Sequence, residues 1–159
     1  LATARAYAAG TESSSHGYAA GGYSGAPSNL DSIERLVFST DSNAAISDTL
    51  SAARRALGAF ASANDGYWLG GLAAVRVDTI DKTDFTNDAT AAITPVLTTL
   101  RDSGTCTQSA SHGYYAGGNA PSAASANINQ LDFSDDSVAS MSTTLAAAKI
   151  NLASYASAS

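Results

Sequence analysis

The aspartates that recur at a fixed spacing are the first candidates for chemistry. Asp41, Asp88 and Asp136 each follow a phenylalanine by three residues, and Asp135 lies beside the last of them. Carboxylates in turns are typical calcium ligands, so these positions are candidate calcium sites. They lack the Asp-x-Asp-x-Asp-Gly spacing of a dedicated calcium loop, and aspartate side chains also close turns by bonding the local backbone. The pattern favours the turn-forming role and indicates no other cofactor.

Two histidines and a recurring cation are weaker candidates for a site. His16 and His112 occupy equivalent positions, but Asp65 stands at the third such position, which argues for a role in turns rather than a shared metal site. A cation follows a leucine by four residues at Arg5, Arg54, Arg101 and Lys149. Such a charge either lines a channel or pairs with acidic residues nearby, and pairing is the favoured interpretation.

The chain carries no motif of a known catalytic machinery. It has no Gly-x-Ser-x-Gly, no phosphate-binding loop and no His-Glu-x-x-His, and no Ser-His-Asp set is spaced for nucleophilic catalysis. Cys106 is the single cysteine, so a disulfide within the chain and a cysteine-based zinc site are excluded, and this residue is predicted to fill a small core position. The sequence therefore predicts a protein that is not an enzyme.

Charge and hydropathy argue against two classes of partner. The chain has 8 Lys and Arg against 14 Asp and Glu, a formal net charge of −6, and its cations do not cluster. Because nucleic-acid binding depends on clustered cations that release counterions, no nucleic-acid partner is predicted. A stretch of 18 apolar residues is also lacking, so no membrane insertion is predicted.

Aromatic residues near paired glycines are the best candidates for a binding surface. They are Tyr23, Tyr67, Trp68, Tyr114 and Tyr115. Rigid amphipathic rings of this kind contribute strongly to binding surfaces, and a glycan or a protein is the expected ligand. Packing in the core is the alternative, and it is expected for at least half of them.

These residues belong to a sequence repeat. The motif Gly-Tyr-x-x-Gly-Gly occurs at 17–22, 66–71 and 113–118. A segment that begins with Ile and ends with Phe follows it at 33–38, 80–85 and 128–133, and the length of the connection varies as surface loops do. The whole chain, 1–159, is interpreted as one repeat region that comprises repeat 1 (1–49), repeat 2 (50–96), repeat 3 (97–144) and the first strand of a fourth repeat (145–159).

Each repeat is predicted to contain four strands. In the segment IERLVF, a period of two places Ile33, Arg35 and Val37 on one face and Glu34, Leu36 and Phe38 on the other. The Gly-Tyr-x-x-Gly-Gly motif is too short for a helix, and its glycine pair permits positive φ or the close approach of another backbone. Segments after each cation and after each recurring Asp supply the other two strands. The protein is therefore predicted to be all-β.

This pattern resembles the kelch repeat of β-propellers over the whole chain. The resemblance consists of a cation, an aromatic-containing strand that ends in Gly-Gly, a variable loop and a strand that ends in an aromatic residue. It implies propeller blades of four antiparallel strands, with about three blades and one extra strand in this chain. Trp68 departs from the family, because the kelch tryptophan usually lies near the fourth strand and this one lies in the second.

More narrowly, the repeats are similar to kelch-like repeats in tail fibres and other appendages of aquatic bacteriophages. This resemblance implies a non-enzymatic structural and recognition module of a virion, which mediates assembly or contact with a host surface. A secreted adhesin or extracellular filament subunit with glycosylated Ser and Thr is the alternative, and a kelch-type enzyme domain is a remote third.

The number of repeats bears on the partners of the chain. Three blades and a strand are too few to close a propeller ring, and an array that is not closed exposes edges that favour association. Either this chain is part of a longer polypeptide, which is the favoured interpretation, or several copies complete one another as a homo-oligomer.

Overall fold

The computed structural model describes residues 1–25 and 28–152, and this part of the chain contains twelve strands and no helix. Sheet 1 consists of β1 (Ala9–Glu12), β2 (His16–Ala20), β3 (Ser32–Val37) and β4 (Ser42–Thr49). Sheet 2 consists of β5 (Gly58–Ala61), β6 (Asp65–Leu69), β7 (Ile80–Asp84) and β8 (Thr90–Ile93). Sheet 3 consists of β9 (Thr105–Gln108), β10 (His112–Ala116), β11 (Ile128–Asp132) and β12 (Val138–Ser140). The prediction of an all-β protein with four antiparallel strands per repeat is confirmed.

Every sheet is a meander in which consecutive strands pair antiparallel, and the register is the same in all three. The tyrosine of the second strand lies opposite the middle residue of the third strand in the pairs Tyr18–Arg35, Tyr67–Lys82 and Tyr114–Gln130. Residues directly opposite each other share a face of the sheet, so each tyrosine and its partner project to the same side. The three sheets do not close into a ring within the described residues.

The hydrophobic core lies between the sheets, which pack face to face. One cluster, between sheets 1 and 2, contains Ala9, Tyr18, Ala20, Ile33, Leu50, Leu57 and Trp68. The second cluster, between sheets 2 and 3, contains Phe60, Tyr67, Leu69, Ile80, Leu97, Tyr115 and Leu131, and Cys106 packs against it. We call the two contacts the first interface and the second interface. Each sheet thus depends on its neighbours to bury its apolar side chains.

The recurring glycine pairs end the second strand of each sheet at a point where the next repeat crowds the backbone. Gly21 and Gly70 have φ of +64° and +59°, and a Cβ on them would lie 2.5 Å and 2.4 Å from the carbonyl oxygens of Arg54 and Arg101. Side chains rarely adopt this conformation, and the space is already filled, so only glycine fits. The following glycine donates its N–H to the same Arg54 oxygen at 2.9 Å.

A series of backbone hydrogen bonds joins equivalent residues of successive repeats. The N–H of Ala56 donates to the carbonyl of Tyr7 at 2.8 Å, that of Ser103 to Ala56 at 2.8 Å, and that of Asn151 to Ser103 at 2.9 Å. All four residues have positive φ. The repeats are therefore related by one recurring displacement rather than by independent arrangements.

The first strand predicted for a fourth repeat, 145–159, lies only partly within the described residues. Residues 145–152 contain no strand, and 153–159 are not described. The described segment nevertheless repeats an earlier contact, because the carbonyl of Lys149 accepts the N–H of Gly118 at 2.8 Å. No helix that is long and apolar enough to cross a membrane occurs in the described residues.

Candidate functional site

The recurring arginines of repeats 1 and 2 form buried ion pairs inside their own sheets. Arg5 lies 2.6 Å from Glu34, and Arg54 lies 2.7 Å from Asp81. None of these four side chains exposes more than 1% of its surface. Burial opposes ionisation of Glu34, but hydrogen bonds from Asn43 and from backbone amides, together with the Arg5 charge, lower the pKa of Glu34 to about 2. The arginines therefore pair structurally and do not line a channel.

Repeat 3 places the equivalent arginine beside a neutral partner. Arg101 is fully buried and bonds the side chain of Asn129, and it also donates to the carbonyls of Gly117 at 3.0 Å and Asn127 at 2.8 Å. Its guanidinium lies over the ring of Tyr115, 4.9 Å from the centroid. Burial lowers the pKa of Arg101, and carbonyl dipoles and the aromatic face take the place of a carboxylate there.

A contact of three side chains, which we call the inter-sheet triad, crosses the first interface. The hydroxyl of Tyr18 donates to Asp88 at 3.0 Å, and Arg35 forms an ion pair with the same carboxylate. Phe85 of sheet 2 stacks on Tyr18 with ring centroids 5.0 Å apart. Burial and the bond to Asp88 raise the pKa of Tyr18 to about 12, so the hydroxyl holds its proton across the neutral range.

The same triad recurs at the second interface with a different cation. The hydroxyl of Tyr67 donates to Asp136 at 2.7 Å, and the ammonium of Lys82 lies 2.9 Å from that carboxylate. Phe133 of sheet 3 stacks on Tyr67 with centroids 5.5 Å apart. Burial and the bond to Asp136 raise the pKa of Tyr67, whereas the pKa of Lys82 rises despite burial because Asp136 and Asp65 stabilise its charge.

The candidate calcium positions thus lie in three separate turns. Asp88 and Asp136 give their carboxylates to the inter-sheet triads, and Asp41, the equivalent residue of repeat 1, is exposed. All three adopt positive φ, which aspartate tolerates better than most residues. Within residues 1–25 and 28–152, no group of three or more His, Cys, Asp or Glu side chains is placed to hold a metal ion.

Three of the five predicted binding aromatics lie inside the stack. Tyr67, Trp68 and Tyr115 have no exposed surface, and the indole N–H of Trp68 donates to the hydroxyl of Thr83 at 2.9 Å. Their rings fill the interfaces between sheets, so a ligand in solution has no direct access to them. Core packing, which is expected for at least half of the five aromatics, is therefore the role of these three.

The other two predicted aromatics reach the surface. Tyr23 is half-buried beneath the guanidinium of Arg55, which lies 5.3 Å from the ring centroid. Tyr114 is half-buried on the outer side of sheet 3. They lie in different repeats and do not form one continuous aromatic patch.

The two histidines begin the second strands of sheets 1 and 3. Nδ1 of His16 lies 2.8 Å from the hydroxyl of Ser15, and Nδ1 of His112 lies 2.7 Å from that of Ser111. Nε2 of His112 is 3.5 Å from Asp132. Each ring has partners within its own turn, and the two are not brought together.

Within residues 1–25 and 28–152, no sheet packs on the outer face of sheet 1, which we call the N-terminal face. Leu36 and Phe38 are 37% and 43% exposed there, although Phe85 and Phe133, at the position of Phe38, stack on tyrosines. A groove of about 510 Å³ is lined on this face by Gly10, Gly17, Ala19, Leu36 and Asn43, and it extends past β1 to Ala59, Phe60 and Gln108 on the first strands of sheets 2 and 3.

Among the described residues no sheet packs on the outer face of sheet 3, the C-terminal face, although residues 145–152 lie at its edge beside Gly117 and Gly118. The side-chain amide of Gln130 donates to the hydroxyl of Tyr114 at 3.2 Å. Ile128 on this face is half-buried, whereas the equivalent Ile33 and Ile80 are completely buried. The C-terminal face therefore presents the positions of an inter-sheet triad without its aspartate.

Sequence reasoning did not find the inter-sheet triads, although a signal for them exists. Tyr18, Arg35 and Asp88 have the same chain spacing, within two residues, as Tyr67, Lys82 and Asp136. A search for pairings between equivalent positions of neighbouring repeats, rather than within one repeat, would have aligned them. No protein-family model matches this chain, and no curated protein is significantly similar to it in sequence.

Proposed function

We propose that this chain is a non-enzymatic structural and recognition module of kelch-like β-propeller blades, which belongs to a virion appendage such as a phage tail fibre. Its role is to hold an extended appendage together or to contact the host surface. The observation that carries the proposal is the repetition of one interface. The same triad of tyrosine, cation and aspartate joins sheets 1 and 2 and sheets 2 and 3.

The interpretation of the sheets as blades is supported by how they stack. The sheets pack face to face, and the first strands β1, β5 and β9 are neighbours along the stack. Equivalent residues near these strands are joined by backbone hydrogen bonds, as in the Tyr7–Ala56–Ser103 series. A common inner edge with close equivalent residues is expected where blades meet around an axis.

A structural role is also supported by the environment of the titratable groups. Packing explains the strongly shifted pKa values: burial and bonds to aspartates raise the pKa of Tyr18 and Tyr67, burial raises that of Cys106 and Tyr115, and hydrogen bonds together with the Arg5 charge lower that of Glu34 against the effect of burial. Such shifts accompany catalysis where the groups converge in a cleft. Here Tyr18 and Tyr67 lie in two separate interfaces, and Glu34 forms an ion pair within repeat 1, so these groups do not share one cleft.

The proposal is tested by locating the chain in its source material. Particles would be purified on a density gradient, and peptides of this chain would be quantified in the particle fraction, the particle-free supernatant and the cell-surface fraction. We expect the peptides to follow the particles in a fixed ratio to other virion proteins. Recovery only from the supernatant or cell surface contradicts the virion assignment.

Mass spectrometry of the same material tests how many repeats the complete assembly contains. Denaturing mass spectrometry gives the mass of the polypeptide that carries this sequence, and native mass spectrometry gives its assembly. A polypeptide well above 15.9 kDa means that further repeats are supplied in cis, whereas an oligomer of 15.9 kDa chains means that they are supplied in trans. An isolated monomer of that mass contradicts a closed ring of blades.

A secreted adhesin or filament subunit is the second candidate, and the outer strands support it. β4 is largely exposed, and its hydroxyl residues Ser42, Ser47 and Thr49 all reach solvent. Exposed hydroxyls on an edge strand are accessible to glycosylation. Added sugar mass on the intact polypeptide, combined with recovery from the cell surface, favours this candidate over the virion module.

A further inference from the structure

We propose that the C-terminal face binds the N-terminal face of a second copy of this chain, head to tail, through the inter-sheet triad that joins consecutive sheets within one copy. This inference names the partner of the module proposed above and rests on its structural role. It is testable with the purified chain, so its outcome is independent of where the protein occurs in nature.

The C-terminal face supplies the donor half of a triad. Tyr114 and Gln130 lie opposite each other on β10 and β11, at the positions that Tyr67 and Lys82 occupy on β6 and β7. In sheet 2 this pair binds the aspartate of the following repeat. Tyr114 is half-buried, and its hydroxyl accepts a hydrogen bond from Gln130 of the same sheet. The face thus presents a hydroxyl and an amide in the geometry of the internal interfaces.

The N-terminal face supplies the acceptor half. Asp41 has φ of +53°, close to the +62° of Asp88 and the +59° of Asp136, so its turn already has the conformation found in the occupied triads. Phe38 precedes it by three residues and is 43% exposed. The N-terminal face therefore requires no backbone rearrangement to receive a tyrosine ring against Phe38 and a hydroxyl against Asp41.

The shape of the N-terminal face matches an incoming sheet. In the internal interfaces, a side chain of the preceding sheet covers the glycine of the second strand. Thr11 lies 3.0 Å from the position that a Cβ on Gly66 would take, and the ring of Phe60 fills the corresponding position at Gly113. At Gly17, the equivalent glycine, the nearest atoms belong to Phe38 and Leu36 of the same sheet. The groove that passes over Gly17 leaves room for a side chain from a preceding sheet.

Charge makes this contact weaker than the internal ones. Gln130 replaces the cation, so Asp41 would receive hydrogen bonds without an ion pair. The formal net charge of −6 on each copy adds long-range repulsion, which salt screens. We therefore expect reversible association that strengthens when repulsion is screened and when a cation is restored at position 130.

The segment 145–152 occupies part of the docking site. It lies beside the pair Gly117–Gly118, where residues 1–8 of an incoming copy would lie, because Lys149 makes the backbone contact that Arg54 makes with Gly22. Arg5 is held by the buried Glu34 of its own sheet, whereas most of 145–152 is exposed. In the docked pair, residues 1–8 of the incoming copy therefore lie beside Gly117 and Gly118 and displace residues 145–152.

The experiment is a double-mutant cycle in the full chain, with Kd measured by sedimentation equilibrium at physiological salt. Gln130→Lys restores the cation and is expected to lower Kd about tenfold or more. The reason is that a hydrogen bond between a charged lysine and the Asp41 carboxylate is stronger than one from a neutral amide. Asp41→Asn removes the charge but keeps a residue that tolerates positive φ, and it is expected to raise Kd about tenfold. In the double variant the gain from Gln130→Lys should be lost.

Matched controls separate this contact from net charge and from misfolding. Asn127→Lys adds the same charge just before β11, and Asp31→Asn removes one exposed carboxylate away from the N-terminal face. Neither is expected to change Kd more than twofold. Circular dichroism and urea midpoints close to those of the unmodified chain show that every variant is folded.

Two outcomes overturn the proposal. One is a chain that remains monomeric at millimolar concentration, both unmodified and as Gln130→Lys. The other is a gain from Gln130→Lys that persists undiminished with Asp41→Asn, because the added lysine then binds some other acidic group. A closed ring of copies and an open series of oligomers both agree with the proposal, since head-to-tail contacts produce either one.

Discussion

The first and second interfaces share one polar contact but differ in what fills the space beside it. At the first interface the small Thr11 lies over Gly66, whereas at the second the ring of Phe60 lies over Gly113. Phe60 also contacts Tyr67, with ring centroids 5.4 Å apart. Both interfaces therefore keep the triad geometry, but the apolar packing beside it depends on which side chain the first strand carries.

The buried arginines differ between the repeats in a related way. Arg54 pairs with the carboxylate of Asp81, but Arg101 bonds the amide of Asn129 and lies over the Tyr115 ring. Both repeats therefore bury a guanidinium at the same position, whether or not a carboxylate balances its charge. The comparison indicates that the arginines serve mainly as multiple hydrogen-bond donors to the strand ends, and that the ion pair offsets desolvation where it is present.

The largest effect is expected at the second interface from Phe60→Ala. Removal of this ring leaves a cavity over Gly113 and should lower the free energy of unfolding by about 3–5 kcal/mol. Thr11→Ala is the matched change at the first interface, where about 1 kcal/mol is expected because fewer atoms are removed. Urea unfolding measures both, and equal losses would contradict the difference between the interfaces.

A somewhat smaller loss is expected from Asp81→Asn. This change makes the Arg54 environment resemble that of Arg101 but without the aromatic face, and a buried charge loses its counterion. We expect a cost of about 3 kcal/mol in urea unfolding, since broken buried pairs fall in this range. Asp31→Asn is the control for loss of an exposed carboxylate. An unchanged midpoint for Asp81→Asn would mean that the ion pair contributes nothing.

The triad itself is tested by removing one hydroxyl from each tyrosine. Tyr18→Phe and Tyr67→Phe should each cost about 2 kcal/mol, because each deletes a hydrogen bond to a buried or half-buried carboxylate. Tyr114→Phe on the C-terminal face should cost less than about 0.5 kcal/mol in the monomer, since no aspartate is bonded there. A similar loss for all three would show that the carboxylate contact is not what stabilises the interfaces.

The smallest expected effect is a decline in stability at alkaline pH. The pKa of Tyr18 is raised from 10.0 to about 12 in the folded state, so folding favours its protonated form. Its contribution is complete below pH 10 and is lost as the pH rises through 12. Urea midpoints across this range should fall less steeply in Tyr18→Phe than in the unmodified chain, with part of the slope retained because Tyr67 titrates too.

Much of the architecture could be predicted because it follows from local sequence. The alternation in IERLVF assigns Ile33 and Arg35 to the same face, and the glycine pairs indicate positive φ, as observed at Gly21. The strand count follows from the repeated pattern of turn and strand signals. These features depend on residues close in the chain, and a single repeat carries all the information needed.

The candidate site was harder to predict because its residues are distant in the chain. Asp88 was interpreted from its own turn, but its partners Tyr18 and Arg35 come from the preceding repeat, 70 and 53 residues away. The burial of Tyr67 and Trp68 likewise depends on a neighbouring sheet that covers them. Periodicity reports which face a side chain occupies, but not whether another sheet lies on that face.

The amino-acid sequence by itself determined the repeat, the four strands of each unit and the positions where the glycine pairs permit positive φ. Local sterics and hydrogen bonding decide these features before any sheet packs on another. The tertiary structure alone decided which equivalent residues meet, because the stacking displacement brings Asp88 to Tyr18 and Asp136 to Tyr67 while Asp41 and Tyr114 remain at opposite ends. The physical reason is that each sheet buries its apolar face only against the next, so the contacts that define an interface exist only when two repeats are present.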